Sequence, residues 1–273
     1  MIEKGPLGVD PTTPNVARMY DYLLGGKDYF AVDRDAAEAL LLEFPAARAI
    51  AEANRMFLDY AVTRACEAGI RQFLDVGAGL PTTGNTHELA ARHCPVSQVV
   101  YVDIDPVVCA HGRAILGGDP GVTILEHDAA DVAGLLAAAT DPAGRAPLDL
   151  TRPVAVVMAA VLHFVERPPA DILADYLAAL APGSMVVVTH GTGEPEAIPA
   201  LERARELYKK TNRPGMVRTR AELEAAFTGW DLDPPGLARV EHFTTDGIVP
   251  DIVQTCTEGE PMGYLAAVIA RKP

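Results

Sequence analysis

From residue 70 onward, short apolar runs alternate with helical stretches, and this alternation predicts an α/β fold built on a mostly parallel sheet. Two further observations support it. The first apolar run, carried by Ile70, Phe73, Leu74 and Val76, leads into Asp75-Val-Gly77-Ala-Gly79, where glycines let the backbone turn sharply and approach a ligand before a helix begins. The run over 154–158 is apolar on both faces, as the central strands of parallel sheets are.

Composition narrows the class. Hydrophobic residues make up 49% of the 273, enough for a substantial core in one large domain or one domain with an appendage. No run of 18 apolar residues occurs, so no transmembrane helix is expected. Residues 1–14 carry Glu3, Lys4, Asp10 and several prolines where a secretory signal would have an apolar stretch. A net charge of −14 repels phosphate backbones and argues against nucleic acid as a partner. The expectation is a cytoplasmic protein, not bound to membranes, acting on a small molecule; its oligomeric state stays open, with a homodimer as one option. The four cysteines, Cys66, Cys94, Cys109 and Cys256, form no CxxC pair. Reduced, partly buried thiols are therefore expected, with neither a zinc site nor a disulfide framework.

Taken in order, residues 1–14 read as an irregular lead-in, and Asn15 can cap a helix that Gly25 and Gly26 stop. Helices over 33–42 and 46–68 follow, the second with Ile50, Ala53, Phe57, Tyr60 and Ala61 at helical spacing. These make residues 1–69 an N-terminal helical cap on a sheet domain over 70–273, the whole forming one compact unit. After the glycine turn, Thr83 or Asn85 can cap a helix starting near His87. Strands are expected at 99–102, 122–125, 154–158 and 185–189. Helices are expected after Pro106, at 131–139 and at 169–180, and a loop at 141–151. Two helices, 196–210 and 220–227, form a helical insertion around 196–228 where one helix would suffice. Strands at 232–241 and 264–270 are expected as an antiparallel closing pair that brings the sheet to seven strands, with a long loop over 244–263 between them.

In an open α/β sheet, ligands bind outside the carboxyl ends of the strands. Those ends hold Asp75 with its glycines, Asp103, Asp128, the segment 158–164 and Thr189-His190. Asp103, 24 residues after Gly79, can accept both hydrogen bonds of a ribose diol. Asp128 can accept from an adenine amine, and Asp75 can meet a cation. An NAD site fits less well. Thr82 stands where the third glycine of GxGxxG belongs, Pro81 interrupts, and Asp75 would repel a pyrophosphate. An adenosyl ligand with an amino-acid tail fits better, because its ammonium can meet Asp75 and the carbonyl of Gly77.

The segments Val16-Ala-Arg-Met-Tyr-Asp-Tyr-Leu-Leu-Gly-Gly-Lys-Asp, Asn54-Arg55, Phe73-Leu-Asp-Val-Gly-Ala-Gly-Leu-Pro-Thr, Asn85-Thr-His-Glu, Val100-Tyr-Val-Asp-Ile-Asp-Pro-Val-Val and Ala160-Val-Leu-His-Phe-Val stand in this order along the chain. By them the chain resembles the class I S-adenosylmethionine-dependent methyltransferases and, more narrowly, the actinobacterial S-adenosyl methyltransferase family, formerly a domain of unknown function. The resemblance implies a Rossmann-like fold and S-adenosylmethionine as cofactor. It implies that Asp75, Gly77, Ala78 and Gly79 hold the methionine end, that Asp103 takes the ribose hydroxyls, and that Ile104 lies along the adenine. His127, Asp128 and Ala129 would line the adenine pocket, Ala159 and Ala160 would border the sulfonium, and Arg18 is a candidate for the methionine carboxylate.

Methyl transfer from a sulfonium is an in-line displacement, so the protein supplies alignment and exclusion of water. A nucleophile that starts protonated can need a base, and His163 is the candidate, although a histidine in Val-Leu-His-Phe-Val can equally only pack. Tyr20, Tyr22, His163 and His190 are expected around the acceptor. No metal is expected, since the segment 158–163 lacks the clustered carboxylates that a metal-dependent transferase needs. Two rivals stand beside a methyltransferase: a non-catalytic binder of S-adenosylmethionine or S-adenosylhomocysteine, and an NAD-dependent oxidoreductase.

Overall fold

The computed structural model describes residues 10–82, 84–144, 147–191, 195, 197–243 and 264–273. Helices α1 (Val16–Leu23), α2 (Ala31–Glu43) and α3 (Ala47–Glu67) precede the sheet. There follow β1 (Gln72–Val76), α4 (Thr86–His93), β2 (Gln98–Asp103), α5 (Pro106–Leu116), β3 (Val122–Glu126), α6 (Val132–Ala139), β4 (Ala155–Ala159) and α7 (Pro169–Ala179). The chain closes with β5 (Met185–Gly191), α8 (Ile198–Tyr208), α9 (Arg220–Ala226), β6 (Asp231–Leu232), β7 (Ala238–Arg239) and β8 (Leu265–Arg271).

The strand order is β3-β2-β1-β4-β5-β8-β6, with β7 also on β8. β1 to β5 are parallel, while β8 runs antiparallel to β5, Met185 facing Arg271 and Gly191 facing Leu265. The order reverses between β1 and β4, and this is where a crevice opens at the carboxyl ends of an α/β sheet. Side-chain alternation splits the core in two. Leu74, Val76, Val156, Met158 and Val188 pack under Val132, Leu135, Ile172 and Tyr176 of α6 and α7. Phe73, Val99, Val157 and Val187 pack under Phe57, Leu58, Ala61 and Val62 of α3 and Leu89 of α4. Thus α3, though contiguous in sequence with the first two helices, spends its apolar face on the sheet. A third cluster joins Met19, Leu23 and Leu40 of α1 and α2 to Ala200 and Ala204 of α8.

Local expectations hold at most helix starts. Asn15 accepts from the amides of Ala17 and Arg18, and Asn85 caps α4, while Thr83 lies outside the described residues. Two expectations change, and a third falls on residues that are not described. The strand expected at 232–241 is two short ones, because Pro234 and Pro235 have no N–H to donate to a ladder, and the described residues hold eight strands, not seven. The loop expected over 244–263 lies outside the described residues. Cys66 and Cys94 form a disulfide, correcting the expectation of free thiols. The end of α3 packs beside the end of α4 and brings the two Cα atoms within 5.9 Å, a proximity with no trace in their separation of 28 residues. Cys109 remains a buried free thiol. No helix among the described residues is long and apolar enough to cross a membrane.

Candidate active site

Where β1 and β4 diverge, a cleft of ≈ 700 Å³ lies between the sheet edge, the glycine turn and helices α1, α2, α3 and α8. That volume falls within the roughly 300–1,000 Å³ of small-molecule sites. Asp75 enters it from β1, 8% exposed, with Oδ2 accepting from Thr86 Oγ1 at 2.6 Å. Burial pushes the Asp75 carboxyl up to about 6, against the opposing effects of the Thr86 bond and the Arg55 charge.

The turn after Asp75 needs its glycines. Gly77 has φ 73°, and a Cβ on it would sit 2.3 Å from Val161 Cγ2, so no other residue fits. Its N–H donates to Val102 O at 2.8 Å. Gly79 N donates to Asp103 Oδ2 at 2.9 Å, and Asp105 N donates to Asp103 Oδ1 at 3.0 Å. Asp103 therefore braces the turn from the end of β2, and its remaining lone pairs are available to a ligand. Burial raises its carboxyl above the usual range. The N-terminus of α4 carries a carboxylate of its own: Glu88 Oε2 accepts from Gly84 N at 2.8 Å and Asn85 N at 2.9 Å. A dinucleotide pyrophosphate needs that position, so the turn is built for a different ligand.

Ile104, 37% exposed, leaves an apolar face on the cleft, and His127, Asp128 and Ala129 line the same wall. One Asp128 oxygen is already engaged by Ala130 N at 2.8 Å. Ala78, Ala159 and Ala160 also line the cleft. Beyond them, Leu23, Leu40, Phe44 and Ile50 of the α1–α3 segment make an apolar extension of the cleft. His163 reaches the cleft with its ring edge-on to Phe164 and His190, at 4.4 and 5.4 Å between centroids. Its Nδ1 is buried without a hydrogen-bond partner, and burial, then His190 and Arg218, push its pKa down to about 3. Tyr20 lines the cleft with its ring while its hydroxyl is committed, accepting from Asn54 Nδ2 at 2.9 Å and donating to Ala51 O at 3.1 Å.

Three residues expected at the site lie off it. Arg18 is 5% exposed and bonded to Asp33 at 2.6 Å, over the ring of Phe30, because a buried carboxylate from α2 neutralises it between α1 and α2. Tyr22 lies on the other side of α1 from Tyr20 and donates to Glu38 at 2.8 Å. His190 points away from the cleft on β5. Its Nδ1 donates to Gly191 O at 2.7 Å and its Nε2 accepts from Arg218 at 3.0 Å, which fixes a neutral ring with a pKa lowered to about 4, burial being the main cause.

Sequence reasoning missed the cleft residues Asn54, Arg55, Arg213 and Tyr208. Asn54-Arg55 carried a signal, since the pair belongs to the family resemblance. Arg55 bonds the carbonyl of Gly84 and its charge reaches Asp75. Arg218 had none: its guanidinium staples the turn after β4 through the carbonyls of Leu162 at 2.8 Å and Val165 at 2.7 Å, across more than fifty residues. Among the described residues no cluster of His, Cys, Asp and Glu could hold a metal ion.

A mostly parallel sheet closed by an antiparallel strand, with a glycine turn and strand-end carboxylates at its crevice, defines a Rossmann-like class I methyltransferase fold. The family model described as S-adenosyl methyltransferase matches residues 3–273, and the chain belongs to that family. It is similar to a DUF574 family protein from Streptomyces avermitilis, with 37% identity and a TM-score of 0.86 over 97% of this chain and 99% of the other. A candidate methyltransferase from Thermobifida fusca shows 36% identity and a TM-score of 0.86, covering 98% of each chain. The plantazolicin methyltransferase BpumL, solved with S-adenosylhomocysteine, shares the fold at 12% identity and a TM-score of 0.50 over 94% of this chain and 95% of its own. No functionally curated protein matches the chain in sequence. The protein is an S-adenosylmethionine-dependent methyltransferase, and S-adenosylmethionine is its cofactor.

Proposed function

We propose that this methyltransferase acts on a small-molecule acceptor held in the apolar extension of the cleft, with the cofactor along the strand ends. One observation carries the reading: the glycine turn, Asp75, Asp103 and the apolar extension under the cap helices share a single cleft. When bound, the cofactor supplies a methyl group on a sulfonium. Asp75, with Arg55 beside it, is suited to the zwitterionic methionine end, where a carboxylate meets the ammonium and a guanidinium the carboxylate. Arg55 takes here the role that the sequence suggested for Arg18. Asp103 would hold the ribose diol while bracing Gly79, and Ile104, His127, Asp128 and Ala129 would enclose the adenine. Ala159 and Ala160 would border the reacting carbon.

His163 serves the acceptor as a neutral hydrogen-bond acceptor. A ring whose pKa is held near 3 is too weak a base to take a proton from a hydroxyl by itself, so alignment and exclusion of water carry the rate. The apolar walls from Leu23, Leu40, Phe44 and Ile50 favour a small, largely apolar acceptor over a macromolecule.

Incubation with methyl-labelled cofactor and cell extract tests this reading. Label is expected in the low-molecular-weight fraction. Label in protein or nucleic acid overturns the acceptor class, and persistent absence of any methylated product, with cofactor still bound in calorimetry, favours the non-catalytic binder.

A further inference from the structure

Ala160 is the one residue other than glycine, among the described residues, with a left-handed backbone, at φ 56°. That conformation is strained for a residue with a Cβ and persists where the surroundings impose it. Here a directed chain of hydrogen bonds does so. Ala160 N donates to Thr189 Oγ1 at 2.8 Å, and the Thr189 hydroxyl donates to Asn54 Oδ1 at 2.7 Å. Asn54 Nδ2 donates to the Tyr20 hydroxyl at 2.9 Å, which donates to Ala51 O at 3.1 Å. Thr189 and Asn54 are 0% and 4% exposed, so neither has water to replace a lost partner. In the other direction Val161 presses on Gly77 so closely that a Cβ there would lie 2.3 Å from Val161 Cγ2.

We infer that Thr189 and Asn54 are positioning residues: by holding Ala160 left-handed they seat Val161 against Gly77 and so fix the glycine turn, with Tyr20 tying that turn to the cap helix α1. The inference rests on the proposed placement of the cofactor's methionine end at this turn. Thr189 does not line the cleft, so any effect of changing it on ligand affinity passes through its bonded partners Ala160 and Asn54, and only the part that passes through the Ala160 backbone is recovered by a glycine there.

The test uses the full chain with S-adenosylhomocysteine as probe. Thr189→Val keeps the shape and removes the hydroxyl; it is expected to weaken binding about tenfold in calorimetry, while Thr189→Ser keeps wild-type affinity. Adding Ala160→Gly to Thr189→Val lets the backbone adopt a positive φ without strain and is expected to recover most of the affinity, although the thermal midpoint stays low. A merely structural Thr189 would lower the midpoint and leave affinity untouched, and that result, or failure of the glycine rescue, overturns the inference. Thr189→Ala, which adds no apolar bulk, replaces the valine variant if that one does not fold. Amide hydrogen exchange without ligand separates the two readings. Thr189→Val should lose protection both at 158–161 and at 76–79; loss confined to 158–161 overturns the chain to Gly77. A wild-type protein that fails to bind the probe overturns the cofactor placement, with the exchange result still deciding the chain.

Discussion

Asp75 gives cofactor affinity a pH dependence whose direction and size follow from its burial. Its carboxyl titrates at about 6 in the free protein, and the cofactor's ammonium needs it ionised. Below that value each unit of pH removes about a factor of ten of the competent form, so affinity for S-adenosylhomocysteine should fall about tenfold from pH 7.5 to pH 5. Stability moves the opposite way. A carboxyl raised in the folded state contributes stability that is present below its unfolded value of 3.8 and lost as pH rises through about 6. The span between those values corresponds to about 3 kcal/mol at neutral pH. Asp75→Asn keeps an oxygen for Thr86 and removes the buried charge. It should gain stability of that order in urea unfolding while losing about 1.5–3 kcal/mol of ligand affinity and the pH dependence with it. Calorimetry from pH 5 to 8 decides. An affinity flat across that range, or a destabilised Asp75→Asn that binds normally, refutes the reasoning.

Other perturbations report on other parts of the site. Asp103→Ala removes a candidate ribose acceptor and orphans Gly79 N, so affinity should fall about a hundredfold, or about 3 kcal/mol, in calorimetry; unchanged affinity in a folded variant removes Asp103 from the site. His163, depressed from 6.5 to about 3, contributes stability that is whole above 6.5 and lost as pH falls toward 3, about 2 kcal/mol of it between pH 7 and 5. His163→Phe should cut the acid loss of stability in urea unfolding by that amount, and an unchanged loss would contradict a buried neutral ring. Alkylation of denatured, unreduced protein should label Cys109 and leave Cys66 and Cys94 unlabelled; labelling of Cys66 and Cys94 would restore the free-thiol reading.

What the sequence determined by itself is whatever local chain chemistry or strand order dictates. Asn15 caps its helix because its side chain reaches amides two and three residues away, Asn85 starts α4 with Glu88 reaching back to its N–H, and the glycine turn announces itself by residue type. Asp75 and Asp103 were legible because every parallel strand delivers its carboxyl end to one edge. The broken strand at 232–241 was legible in principle too, since Pro234-Pro235 cannot donate to a ladder. Tertiary structure alone decided which charges are spent. Arg18 and His190 are polar residues near the right segments, yet Asp33 and Arg218 claim them from elsewhere in the chain. The same holds for Cys66 with Cys94 and for the path from Tyr20 to Ala160, whose members sit on α1, α3, β5 and the turn after β4. A buried polar group takes the partner that packing brings to it, and packing across the chain leaves no spacing for a single sequence to display.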